Sequence, residues 1–253
     1  IREGYVNDMT REKNRIHHAL ESCGIKLSSV LSDMFGKTGQ SILSGLLEGR
    51  TIDDILKRVN LKRIKATAEE IREAIKGSLD FTQILLIRGS LEQMGAIQKR
   101  INEIRKEIKS RIAYRKEDLK IAMSIPGVGF TSASTLLAEI GDITDFQKPE
   151  QLAAWAGLVP SVYQAAGKLI TGSITKHGSR HIRWILVQVA RVIARGRNSK
   201  LKRFYLRVKS KKGSNVAVVA LARKVLCILI TYIVRAGYVV RKTQSEVDRS
   251  HLL

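Results

Sequence analysis

Proline occurs only at positions 126, 149 and 160 of the 253 residues. Proline removes a backbone donor and clashes with the preceding helical turn, so its scarcity leaves residues 1–125 and 161–253 open to long helices. Apolar periodicity agrees. Ile87, Met94, Ile101 and Ile108 are spaced by seven, with Ile97 and Ile104 in the complementary seam. This predicts a long helix over 80–112 that pairs with another helix. Bundle packing within the chain and dimerisation with a second copy would both give the pattern. Residues 10–23 predict a helix with Thr10 as N-cap. TAEEIREAIKG predicts a capping box from Thr67 to Glu70 and a stop at Gly77. The fold class expected is all-α. A coiled-coil-like helical linker would occupy 1–118, a helical domain 119–240 and a tail 241–253.

Charge divides the chain as well. Residues 151–245 hold 19 Lys or Arg and no Asp or Glu, whereas the other 158 residues hold 26 basic and 23 acidic groups. A surface selected for solubility alone mixes signs. A long stretch of one sign repels itself and is expected where a polyanion supplies the missing charge. Nucleic acid is the favoured polyanion, ahead of an anionic membrane surface or general basicity.

Cys23 and Cys227 lie far apart in apolar segments and read as reduced core residues, not a disulfide framework. No signal peptide opens the chain. The chain begins at Ile1 without an initiator Met, which suggests a fragment. The most apolar stretch, 216–240, carries Arg223, Lys224 and Arg235, and its longest charge-free run, 225–234, is too short to span a bilayer. A buried core helix is expected there, with no membrane partner.

The sharpest local motif is LKIAMSIPGVGFTSASTLLAEIG (119–141). It reads as helix, tight turn Ile125-Pro126-Gly127-Val128-Gly129, helix. The two glycines allow a sharp turn and close backbone approach. The second helix, beginning near Thr131, would aim its free N–H groups and dipole at the turn, where a phosphate is favoured. This is the pattern of a helix-hairpin-helix, a clamp on the DNA backbone. A plain turn with packing glycines is the alternative.

In QLAAWAGLVPSVYQAAGKLITGSITKHG (151–178), Trp155 is expected in the core of a short helix ended by Gly157 and Pro160. The Gly-, Ser- and Thr-rich loop that follows, with Gly167, Lys168, Thr175 and Lys176, could wrap a phosphate backbone or simply be a flexible surface loop. SRHIRWILVQVARVIARGR predicts a helix with an apolar face and with Arg180 and Arg183 suited to phosphates. Residues 200–212 add positive charge and the aromatic pair Phe204 and Tyr205.

Other candidates are weaker. His177 and His181 are four apart but have no third ligand nearby in sequence, so no metal is expected. Gly36-Lys37-Thr38 imitates the end of a phosphate-binding loop, but Leu31 stands where its first Gly belongs. Glu139, Asp142 and Asp145 are more simply explained by helix-end and turn chemistry than by Mg²⁺. Metal-assisted phosphoryl transfer needs convergent carboxylates, and the basic region offers none. Chemistry carried out by that region alone would need a hydroxyl nucleophile with Arg and Lys support.

The run from SIPGVGF through AWAGLVP and GKLITGSITKHGSRHIRWILV resembles the C-terminal transposase domain of the insertion-sequence-110 family, the bridge-RNA-guided DNA recombinases of mobile elements. The likeness covers about residues 119–237. IREGYVNDMTREKNRIHHALESCGI is similar to the start of that family's helical linker. The resemblance implies an upstream RuvC-like domain with an acidic metal-binding tetrad. This chain begins after it, so no cofactor is expected in the chain and Mg²⁺ only with that domain. The resemblance also implies a Ser nucleophile five residues beyond the AGL-x-P proline, linking covalently to DNA in concert with the RuvC-like domain of another subunit. That position is Ala165, which has no hydroxyl. Ser161 and Ser173 do not fit the spacing.

The expectation is the DNA-binding portion of a transposase that binds DNA and a guide RNA in a homo-oligomer, with the 80–112 helix mediating assembly. It would be cytoplasmic in a prokaryote, acting at the nucleoid, and unable to recombine DNA by itself. The rivals are a non-catalytic DNA-binding regulator or transposase remnant, and a chromatin-like basic protein.

Overall fold

A computed structural model describes residues 1–59, 64–165 and 168–250. Two compact units divide the chain between Lys109 and Ser110. Among the described residues there are twelve α-helices and a single two-stranded hairpin, so the chain is all-α in class.

The first unit contains α1 (Arg2–Ser22), α2 (Leu27–Val30), α3 (Lys37–Leu47), α4 (Ile52–Arg58), α5 (Ala68–Ala74) and most of α6 (Phe81–Arg111). Its core is aliphatic, with Ile16, Leu20, Ile42, Leu43, Ile55, Ile71 and Ile87 all buried. The helix starts follow local chemistry. Thr51 accepts from the Asp54 N–H, and Thr67 and Glu70 form the expected capping box. Two expectations need correcting. Thr10 is not an N-cap, because α1 begins at Arg2; the Thr10 hydroxyl instead donates to the Val6 carbonyl within the helix. Gly77 does not stop α5, which ends at Ala74. It is Gly because a Cβ there would lie 1.9 Å from the Cys23 carbonyl oxygen. The long helix α6 forms as the periodicity requires, yet only Ile87 and Ser90 are buried along it. Met94, Ile97, Ile101, Ile104 and Ile108 remain half-buried.

The second unit contains α7 (Lys116–Met123), α8 (Phe130–Ile140), α9 (Pro149–Trp155), strands β1 (Pro160–Ala165) and β2 (Lys168–Ile174), α10 (Arg180–Arg195), α11 (Lys200–Lys212) and α12 (Ser214–Ser250). Arg115 secures its entry. The guanidinium pairs with Asp118 at 2.8 Å and donates to the Leu137 and Gly141 carbonyls, capping the end of α8. The central element is α12, whose Leu221, Ala222, Val225, Leu226, Leu229 and Ile230 are buried in one cluster with residues of α7, α8, α9 and α10. Residues 214–236 are long and apolar enough to cross a membrane. In this fold they supply the core, as the interspersed cations suggested, and the helix continues through 241–250.

Candidate nucleic-acid interface

The glycine motif of the second unit forms helix, turn and helix in the expected order. Gly127 has φ 87, and an added Cβ would stand 3.0 Å from the Val192 side chain of α10. The turn is therefore seated on α10, and Gly supplies both the left-handed conformation and the room. Gly129 differs. It caps α8 with ordinary φ and ψ, has no side chain of its own to accept from the first turn, and nothing lies within 4 Å of a Cβ built there. Val128 is buried beneath the turn. Pro126 and Gly129 remain exposed beside the start of α8, whose N-cap residue is a glycine.

Residues 151–178 are less loop-like than their composition suggests. Instead of a flexible segment after Pro160, β1 and β2 pair antiparallel, with Tyr163 opposite Ile170 and Ala165 opposite Lys168. Val162, Tyr163, Leu169, Ile170 and Thr171 suit the extended conformation, and the glycines obscure that signal. Ser161 donates across the hairpin to the Ser173 carbonyl at 2.9 Å. Ala165 lies at the end of β1 and Lys168 opens β2, whereas Gly167 lies outside the described residues.

The base of the hairpin is joined to α9 and α10 by main-chain contacts. The Thr175 N–H donates to Val159 and the Lys176 N–H to Gly157. Gly157 and Gly178 both have positive φ, and a Cβ on either would lie within 2.2 Å of a carbonyl oxygen, of His177 and Trp155 respectively. Lys176 has φ 59, the only positive value outside glycine among the described residues. Ser179 caps α10 by accepting from the Ile182 N–H. One guanidinium nitrogen of Arg183 reaches the Ala156, His177 and Gly178 carbonyls at 3.2, 2.7 and 3.1 Å. The AWAGLVP and TKHGSRH segments, some twenty residues apart, thus form one seam.

This seam separates the sequence-selected residues into two groups. Lys176 and Arg180 are exposed at its surface. Arg183 instead holds three carbonyls together, and the Thr175 hydroxyl oxygen is shielded from solvent with no partner among the described residues. Trp155 is 41% exposed, contrary to the core placement expected from its helix. The buried face of α9 is Leu152 and Ala153, leaving the indole edge-on to Phe146 at 5.8 Å. His177 and His181 are both exposed, and among the described residues no three His, Cys, Asp or Glu side chains cluster in a way that could hold a metal ion.

Cations dominate the outer surfaces of α10 and α11. Seven of the thirteen residues of α11 are Lys or Arg. Phe204 sits beneath Lys224 at 4.4 Å and Arg207 at 5.7 Å, while Tyr205 is buried with its hydroxyl 3.0 Å from Ser214. The aromatic pair therefore organises the charge at the contact between α11 and α12. Sequence reasoning missed Trp184, which is 64% exposed among the arginines of α10. Its signal was available: it falls outside the apolar stripe of Ile182, Ile185, Leu186 and Val189.

Residues 119–206 match the sequence profile described as Transposase IS116/IS110/IS902 family. Among similar proteins, the transposase for insertion sequence element IS1111A of Coxiella burnetii is 35% identical over 127 residues, covering 49% of this chain and 35% of that protein. The transposase for insertion sequence element IS1328 of Yersinia enterocolitica is 32% identical over 136 residues, covering 53% and 40%. The pilin gene-inverting protein of Moraxella bovis is 33% identical over 107 residues, covering 42% and 33%. The chain thus spans about two fifths or less of the length of these relatives. Residues 119–206, which include the glycine turn, the hairpin seam and α10, are thus similar to the transposase domain of the IS116/IS110/IS902 family.

Proposed function

We propose that this chain is a DNA-binding part of an insertion-sequence transposase and acts in DNA rearrangement by holding phosphodiester backbones. The observation that carries this reading is the complete absence of acidic residues from 151–245 against 19 basic ones. The names of the relatives, two insertion-sequence transposases and a gene-inverting protein, point to the same chemistry. The first turn of α8 after Gly129 would receive one phosphate through its N–H groups. Lys176 and Arg180, exposed beside the seam, would receive others. Arg183 would position that surface without touching the DNA. The half-buried stripe of α6 fits a role in homo-oligomer assembly, and a guide RNA would be a second polyanion on the same basic domain.

Duplex binding by the full chain, followed by anisotropy over a salt series, tests this reading. The expected affinity falls steeply with salt, and Lys176→Ala and Arg180→Ala each reduce the log–log slope by about one. A flat salt dependence would sink it.

Residue 165 is proposed as the position of the family nucleophile. Alanine cannot attack phosphorus, so the domain as it stands binds strands without becoming linked to them. Ala165→Ser, joined to a RuvC-like domain and supplied with RNA and Mg²⁺, should form covalent protein–DNA adducts that the Ala form lacks. Equal adduct yields from both would place the nucleophile elsewhere.

A further inference from the structure

Trp184 occupies a position that neither helix formation nor core packing requires. The inward face of α10 is complete without it, and among the described residues no ring or cation stacks on its indole. A tryptophan left 64% exposed forgoes the burial that ordinarily stabilises it. Its surroundings are polar and cationic. At about 100° and 1.5 Å per residue, Arg191 and Arg195 lie within about 20° of Trp184 around the helix, and Arg180 within about 40°. Arg180 is about 6 Å to one side along the axis and Arg191 about 10.5 Å to the other. All three arginines are exposed. The outer ridge of α10 is therefore an aromatic face between cations, in a stretch of chain without a carboxylate.

From this arrangement we infer that Trp184 is a stacking site for an unpaired DNA base, with Arg180 and Arg191 holding the phosphates on either side. Within a duplex both faces of each base are covered by its neighbours, so an indole on a helix ridge finds a partner only where a strand is open. Arginines attract either form, whereas the ring adds affinity for the open one. The assignment rests on the DNA-binding reading and adds to it a preference for melted or single-stranded DNA. Such strands arise in any reaction that exchanges DNA ends. The seated turn at Gly127–Val192 is on the same helix, so a duplex phosphate at α8 and an open strand at Trp184 could be held together.

The test compares wild type, Trp184→Ala, Trp184→Phe and Arg191→Ala as full chains on oligothymidine, its RNA counterpart and a duplex of equal length. Trp184→Ala should weaken oligothymidine binding by between about fivefold and a hundredfold, the usual range for one base–aromatic stack. It should leave duplex binding within about twofold, and Trp184→Phe should recover part of the loss. Arg191→Ala should weaken both forms and flatten both salt dependences. Wild-type indole fluorescence should fall as oligothymidine binds, and the Trp184→Phe signal should change much less. Equal losses on duplex and single strand, or none on the single strand, would overturn the stacking site. A loss confined to the RNA probe would overturn its assignment to DNA, and a change of oligomeric mass with unchanged binding would show that the ring docks protein. Failure of wild type to bind duplex would count against the broader reading, because that arm does not depend on Trp184.

Discussion

At Gly178 a single hydrogen in place of a side chain permits two separate things. Its φ of 77 is accessible to glycine and unfavourable for other L-residues, and the space a Cβ would need is taken by the Trp155 carbonyl oxygen. Gly178→Ala should therefore destabilise the second unit by about 2–4 kcal/mol, the sum of a left-handed backbone and an overpacked contact. Urea unfolding followed by circular dichroism would measure it, and a loss below 1 kcal/mol, on the order of an ordinary surface change, would mean that the seam yields easily. Arg183 belongs to the same seam. In sequence it is one more arginine among many, and only the three carbonyls around it show that it positions the backbone. The sequence contains the cation but not the company it keeps. Arg180 and Arg183 are therefore indistinguishable in sequence, and the same holds for Thr175, whose hydroxyl is shielded from solvent.

Individual elements were legible to the degree that their signals were local. Helix α5 has a capping box written into Thr67 and Glu70, and both halves form. The Glu70 carboxyl is held below its usual range first by the Thr67 backbone N–H and then by the Thr67 hydroxyl. A carboxyl with a depressed folded pKa contributes stability above the ordinary carboxylate range and loses it as pH falls through the depressed value. Wild type and Glu70→Gln should thus differ most near neutrality and converge in acid, as measured by urea midpoints between about pH 7 and pH 3. Parallel curves would show that the ionised form adds nothing to the cap. By contrast, the hairpin is hidden because its Gly and Ser residues are commoner in loops than in strands. Its pairing is fixed by main-chain partners that composition does not reveal. The start of α1 was misplaced for a related reason: Thr10 has the chemistry of a cap but lies inside a helix that begins at Arg2.

For the molecule as a whole, proline scarcity and apolar periodicity indicated an all-helical chain, and charge segregation marked its C-terminal region. The division at Lys109 and Ser110 falls within α6, where the helical pattern is unbroken, so no turn signal announces it. The apolar stretch at 214–236 shows how composition and burial together assign a role. By length and hydropathy it could cross a bilayer, yet Leu221, Leu226 and Leu229 are wholly enclosed by neighbouring helices. Its cations Arg223 and Lys224 are tolerated because the helix has an outer side, where Lys224 settles over Phe204.

At the seam between α9, the base of the hairpin and α10, the bonds from Thr175 to Val159 and from Lys176 to Gly157 join peptide groups, and the Arg183 guanidinium binds three further carbonyls. Peptide groups are common to every residue type, so apart from Gly157 and Gly178, where a Cβ has no room, these bonds do not depend on which side chains the bonded residues carry. If residue 165 is the reacting position proposed above, exchanging its side chain leaves these main-chain bonds at the base of the hairpin in place.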